Sequence, residues 1–195
     1  MQVINLFNCP IVINKLELNC KEIEKECISL NNKSKKIKNR SGVGGDQVDI
    51  PKINIIFNKL EKEINLKLKE ISINNMELVK ETKLSNMWFC INRYKDFNKP
   101  HTHPFSILSG VYYVKVPKNS GKLFIEDPRP GPNTHMPRRM DNLPKQLWRV
   151  VAYDAIEGRL VFFPSWLPHG VDINMNTDKG EKNWRISVSF NFIQV

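Results

Sequence analysis

The sequence predicts a mainly β domain, a sandwich or barrel with two N-terminal helices packed on its outside, and three observations carry that prediction. From residue 84 onward, segments rich in β-branched and aromatic residues recur at 88–94, 106–116, 122–126, 148–153, 159–163, 169–173 and 184–192, most of them separated by Pro, Gly, Asn or Asp. Apolar residues at helical spacing occur only before that point. About eight strands following two helices, instead of alternating with them, argue against βαβ units and for a closed or two-layered antiparallel architecture.

At 195 residues, 41% hydrophobic and 26% charged, the chain suits one globular domain over 1–195. Residues 1–83 form a helical N-terminal arm in this reading and 84–195 the β core. No run of 18 apolar residues exists, so no membrane span is expected. The first residues lack a basic stretch before an apolar one, which argues against a signal peptide and for a cytoplasmic protein. Cys9, Cys20, Cys27 and Cys90 have no C-x-x-C spacing, so they read as small apolar residues of a reducing compartment.

The elements follow in order. Residues 1–13 contain Pro10 and suit an edge strand or an extended lead-in. Asn14 and Glu17 look like a capping box for a helix over 15–30, whose stripe is Leu16, Cys20, Ile23, Cys27 and Leu30. The acid-free run 33–40 and Ser41-Gly42-Val43-Gly44-Gly45-Asp46 read as a loop, since no strand precedes the glycines and no G-K-[ST] follows. Pro51 in a first turn starts a second helix at Asp49-Ile50-Pro51, with Ile53, Ile56, Phe57, Leu60, Ile64, Leu68 and Ile71 buried. Residues 127–147, rich in Pro and Arg, form a long loop of the kind that serves as a lid or binding loop. The net charge of +10 admits a nucleic-acid or acidic partner, although a basic run is more often a solvated loop.

Three of the four histidines fall in two places, Pro100-His101-Thr102-His103-Pro104 and Phe163-Pro164-Ser165-Trp166-Leu167-Pro168-His169. Residues two apart on an extended strand share a face, so His101 and His103 can aim at one point. His169 from a distant strand would complete three ligands on one side of a metal and leave the rest of its coordination open. Arg185 precedes Ser187 on another strand, and a guanidinium fork beside a hydroxyl suits a carboxylate. The plainer reading of Arg185 is an ion pair at the barrel mouth. Asn92 is a candidate to point inward, as is one of Tyr112 and Tyr113, because alternation turns only one of them in. Trp166 and Trp184 read as packing.

These segments, taken with Trp88-Phe89-Cys90-Ile91-Asn92-Arg93-Tyr94, Ser109-Gly110-Val111-Tyr112-Tyr113 and Trp184-Arg185-Ile186-Ser187-Val188-Ser189, resemble the small 2-oxoglutarate/Fe(II) oxygenases of bacteria and cyanophages. The resemblance covers the whole chain and is strongest over 86–192. It implies a double-stranded β-helix (a jelly-roll, cupin-like barrel) with Fe(II) held by His101, His103 and His169. Arg185 and Ser187 would bind 2-oxoglutarate, with Tyr113 and Asn92 alongside. It further implies hydroxylation of an unidentified substrate (a protein side chain, a nucleobase or a small molecule) with release of succinate and CO2. The wider superfamily has Asp or Glu where His103 stands, so the ligands are either three imidazoles or two and a carboxylate such as Asp127. Two other readings stay open: a cupin-type metal enzyme or sensor without 2-oxoglutarate, and a basic module that binds nucleic acid.

Overall fold

The computed structural model describes residues 2, 9–33, 41–74, 82–130, 144–145 and 148–195. In chain order the elements are β1 (Val12–Lys15), α1 (Cys20–Lys33), β2 (Gly42–Val43), β3 (Asp46–Asp49), α2 (Ile55–Asn74), β4 (Thr82–Asn92), β5 (Phe97–His101), β6 (Leu108–Lys115), β7 (Leu123–Glu126), β8 (Val150–Tyr153), β9 (Arg159–Pro164), β10 (His169–Val171) and β11 (Arg185–Gln194). Two antiparallel sheets result, one ordered β1-β9-β6-β11-β4-β3 and the other β2-β5-β10-β7-β8. The fold is a double-stranded β-helix. Among the described residues no helix is long and apolar enough to cross a membrane.

Period-two alternation in the long strands separates core from cavity. Along β11, Ile186, Val188, Phe190 and Phe192 are fully buried against the helices, and Arg185, Ser187, Ser189 and Asn191 face the cavity between the sheets. Along β4, Phe89 and Ile91 join the helix-side core while Asn86, Trp88, Cys90 and Asn92 line the cavity. Both helices lie on the outer face of the six-stranded sheet, where Phe57 of α2 stacks on Phe89 at 6.4 Å. A smaller apolar cluster of Val111, Tyr113, Leu123, Ile125, Val161, Phe163 and Leu167 fills the space between the sheets.

Several sequence expectations change. Helix α1 starts at Cys20 and not at residue 15, because 12–15 pair with Leu160, Val161 and their neighbours on β9. Its cap is Asn19, whose Oδ1 accepts the Glu22 N–H at 3.3 Å; the Asn-x-x-Glu signature was five residues further along. Residues 46–49 are a strand paired with β4, so α2 begins only at Ile55. Asn54 caps it, accepting from the N–H groups of Ile56 and Phe57. Ile53, placed in the buried stripe by periodicity, is 92% exposed because it precedes the helix.

Gly42–Val43 pairs with β5, so the glycine stretch is no loose loop but a crossing from one sheet to the other. At Gly44 (φ +71°) a Cβ would overlap the Asp96 carboxylate, which accepts the Arg93 N–H. The arm is therefore more than helical, since β1, β2 and β3 extend both sheets. Trp184 packs on the core and under Arg93, whereas Trp166 is half exposed and is not a packing residue. Residues 34–40, most of 127–147, and the loop residues His135, Arg138 and Arg139 lie outside the described residues.

Candidate metal and keto-acid site

The three histidines converge. His101 ends β5, His103 sits two residues on in the following turn, and His169 opens β10 directly opposite His101. Their ligand-capable nitrogens all lie within 4.8 Å of one another, and the ring centroids are 4.4–5.2 Å apart. His103 is positioned by something other than strand alternation: its backbone N–H donates to Ser165 O at 2.9 Å, tying the turn to the β9–β10 connection.

Each imidazole has its Nδ1 engaged. His101 Nδ1–H donates to Lys99 O and His169 Nδ1–H to Leu167 O, both at 2.8 Å, and His103 Nδ1–H donates to Asn191 Oδ1 at 2.6 Å. With the Nδ1 protons committed, the neutral rings carry their lone pairs on Nε2. His103 Nε2 and His101 Nε2 then face each other at 3.2 Å, an arrangement that repels unless a cation lies between them. Burial holds all three pKa values down, that of His169 to about 3, so the rings are neutral at pH 7 and need shed no proton to bind a metal. A borderline divalent ion such as Fe(II) fits this donor set, and the engaged Nδ1–H groups are the usual outer-shell arrangement of ligating histidines.

Asp127, the carboxylate alternative to His103, is not in the cluster; its carboxylate pairs with Arg129 at 2.6 Å. The imidazoles line a cavity of about 600 Å³ with Arg185, Ser187, Tyr113 and Asn92. Tyr113 takes the inward position, and Tyr112 turns to the helix side, its hydroxyl 3.1 Å from Cys20 Sγ.

Arg185 is 2% exposed, and Nη1 donates to Ser120 O at 2.8 Å while Nε has no partner. The expected alternative, an ion pair, is not found: among the described residues no carboxylate lies within 4.0 Å of it. Burial presses its pKa down, yet a guanidinium stays charged. A buried, charged fork with an unused donor is poorly stabilised alone and suits an incoming carboxylate. The Asn119–Gly121 turn makes room for it: at Gly121 (φ +90°) a Cβ would sit 3.0 Å from Arg185 Nη1 and 2.3 Å from Asp172 O.

Sequence reasoning did not single out Trp88, whose ring lies 5.8 Å from that of His103, or Ser109, Ser165 and Asn191 around His103. The signal for Asn191 was the alternation Arg185, Ser187, Ser189, Asn191 along one face. Ser109 and Ser165 carried none, because their role depends on pairing between strands distant in sequence.

Residues 86–191 match the family model described as "Putative 2OG-Fe(II) oxygenase". Among solved structures, a prolyl-4-hydroxylase from Pseudomonas putida is 15% identical with a TM-score of 0.67, covering 95% of this chain and 92% of its own. A prolyl hydroxylase from Trichoplax adhaerens, in complex with a hypoxia inducible factor oxygen degradation domain peptide fragment, is 15% identical with a TM-score of 0.66, covering 95% and 83%. HygX from Streptomyces hygroscopicus, with nickel and 2-oxoglutarate bound, is 10% identical with a TM-score of 0.62, covering 95% and 83%. At these identities the likeness is one of fold. No curated protein matches the chain in sequence.

Proposed function

Because the chain belongs to the 2OG-Fe(II) oxygenase family, with more than half of its length matched, we propose that His101, His103 and His169 hold its iron and that Arg185 and Ser187 hold the far carboxylate of 2-oxoglutarate. The enzyme is an Fe(II)- and 2-oxoglutarate-dependent dioxygenase. The observation that carries the residue assignment is one cavity with three convergent Nε2 atoms and a buried guanidinium that has no acid beside it. Neither a metal sensor without a keto acid nor a nucleic-acid module accounts for that guanidinium.

When bound, the iron and 2-oxoglutarate supply the oxidising chemistry, in which the keto acid is decarboxylated to succinate as oxygen is inserted into a substrate C–H bond. The chain's own residues bind and orient. Arg185 offers the charged fork, with the Ser187 hydroxyl two residues on along the same face. Tyr113 stays a neutral phenol, burial pushing its pKa to about 12, so it is available as a hydrogen-bond donor. Val111, Leu123 and Phe163 give the cavity an apolar wall that restricts water.

Lys99 and Thr102 are exposed residues of the cavity lining. No Asp or Glu is among the described lining residues, which favours neutral or anionic substrates over cationic ones. A peptide or a small organic molecule fits such an opening, and one similar structure holds a peptide fragment. Anaerobic calorimetry with Fe(II) and 2-oxoglutarate tests the site assignment, followed by succinate assay in air. Keto-acid binding that ignores both His169→Ala and Arg185→Ala would refute it.

A further inference from the structure

His103 is held differently from its companions. His101 and His169 give their Nδ1–H groups to backbone carbonyls two residues earlier, whereas His103 gives its own to a side chain, the Asn191 carboxamide. Asn191 Oδ1 also accepts the Ser109 hydroxyl at 2.7 Å, and Ser109 Oγ lies 2.9 Å from His103 Nδ1 and 2.7 Å from Ser165 Oγ. All three are buried, Ser109 and Ser165 completely. Strand register builds this cluster: Asn191 of β11 stands opposite Ser109 of β6, which stands opposite Phe163 of β9, two residues before Ser165.

The 3.2 Å contact between His103 Nε2 and His101 Nε2 has two possible contents. With the proton of His103 on Nε2, it is an ordinary N–H···N hydrogen bond that closes both nitrogens to a metal. With the proton on Nδ1, both Nε2 lone pairs are free for a cation. The acceptor oxygen against Nδ1 decides between them, because an acceptor there favours the protonated nitrogen.

We propose that Asn191 is a positioning residue that selects the Nδ1–H tautomer of His103 and so turns Nε2 toward the metal, with Ser109 and Ser165 holding the carboxamide oxygen in place. The proposal rests on the reading of the three imidazoles as metal ligands and adds what makes the third one available.

Long-range ¹H–¹⁵N correlation spectra of the metal-free protein at pH 8 read the tautomer directly. His103 is expected as Nδ1–H in the wild type and as a mixture with Nε2–H in Asn191→Leu. Titration with Co(II) should show that variant binding roughly 10- to 100-fold more weakly, the usual loss when an outer-shell partner is removed. Its visible absorption bands should shift, while Asn191→Asp, which keeps an acceptor oxygen, should restore wild-type affinity. Asn191→Ala replaces the Leu variant if circular dichroism shows that variant unfolded. An Nε2–H His103 in the wild type, or wild-type Co(II) affinity in a folded Asn191→Leu protein, would overturn the proposal. If His101→Ala and His169→Ala bind Co(II) as the wild type does, the metal reading itself falls and this proposal with it.

Discussion

Replacement of Arg185 by Met should weaken 2-oxoglutarate binding severely and leave the ligand-free protein at least as stable as before. Two charge-assisted hydrogen bonds to the keto acid's far carboxylate would be lost, each worth about 1.5–3 kcal/mol. Their sum of about 3–6 kcal/mol corresponds to a loss of roughly a hundred- to twenty-thousand-fold in affinity. Stability should move differently, because in the ligand-free protein the guanidinium is 2% exposed, has no described carboxylate within 4.0 Å and leaves Nε without a partner. Removing such a charge in favour of an apolar chain of similar length is commonly neutral or stabilising. The lost charge-assisted bond to Ser120 O offsets about 1.5–3 kcal/mol of that. Anaerobic calorimetry with Mn(II) in place of iron measures the affinity, and differential scanning calorimetry of the ligand-free protein measures Tm. An affinity close to that of the wild type would refute the keto-acid role. A fall in Tm of ten degrees would show instead that Arg185 is a structural anchor.

Other outcomes follow from the same structure. His169 is buried neutral, its pKa held near 3 by burial against an unfolded value of 6.5, so between those values the unfolded chain binds more protons. The metal-free protein should therefore lose stability as pH falls from 6.5 toward 3, and less steeply in His169→Gln, as thermal melts across that range would show. Asn54→Ala removes both cap bonds at the start of α2 and should cost about 1 kcal/mol, lowering Tm by roughly 2–4 °C without changing metal affinity. Gly121→Ala, strained at φ +90° and pressed against Asp172 O and Arg185, should be destabilised by more than about 1 kcal/mol in denaturant titration. Cys90 faces the cavity with its pKa raised to about 11 by burial, so it should resist thiol reagents at pH 7.5 in the native state and react once the protein is unfolded.

What the sequence determined by itself was the set of chemical groups and the alternation that sorts them. Apolar residues at every second position from Ile186 to Phe192 left Arg185 and Ser187 on the opposite, cavity-facing side, a consequence of strand geometry that holds wherever the sheet lies. The same rule allowed only one of Tyr112 and Tyr113 to face inward. Local patterning failed at the arm, where cap signatures near Asn14 and Pro51 competed with sheet pairing. Hydrogen bonds to β9 and β4 prevailed, and the helices started later, at Cys20 and Ile55. Tertiary structure alone decided that His103, beyond the end of its strand, returns to the cluster through Ser165, and that Asp127 is occupied by Arg129. It alone placed Asn191 and Ser109 against His103 and left Arg185 without an acid. Each of these depends on which strands lie side by side, and register between segments dozens of residues apart is set by closure of the whole sheet.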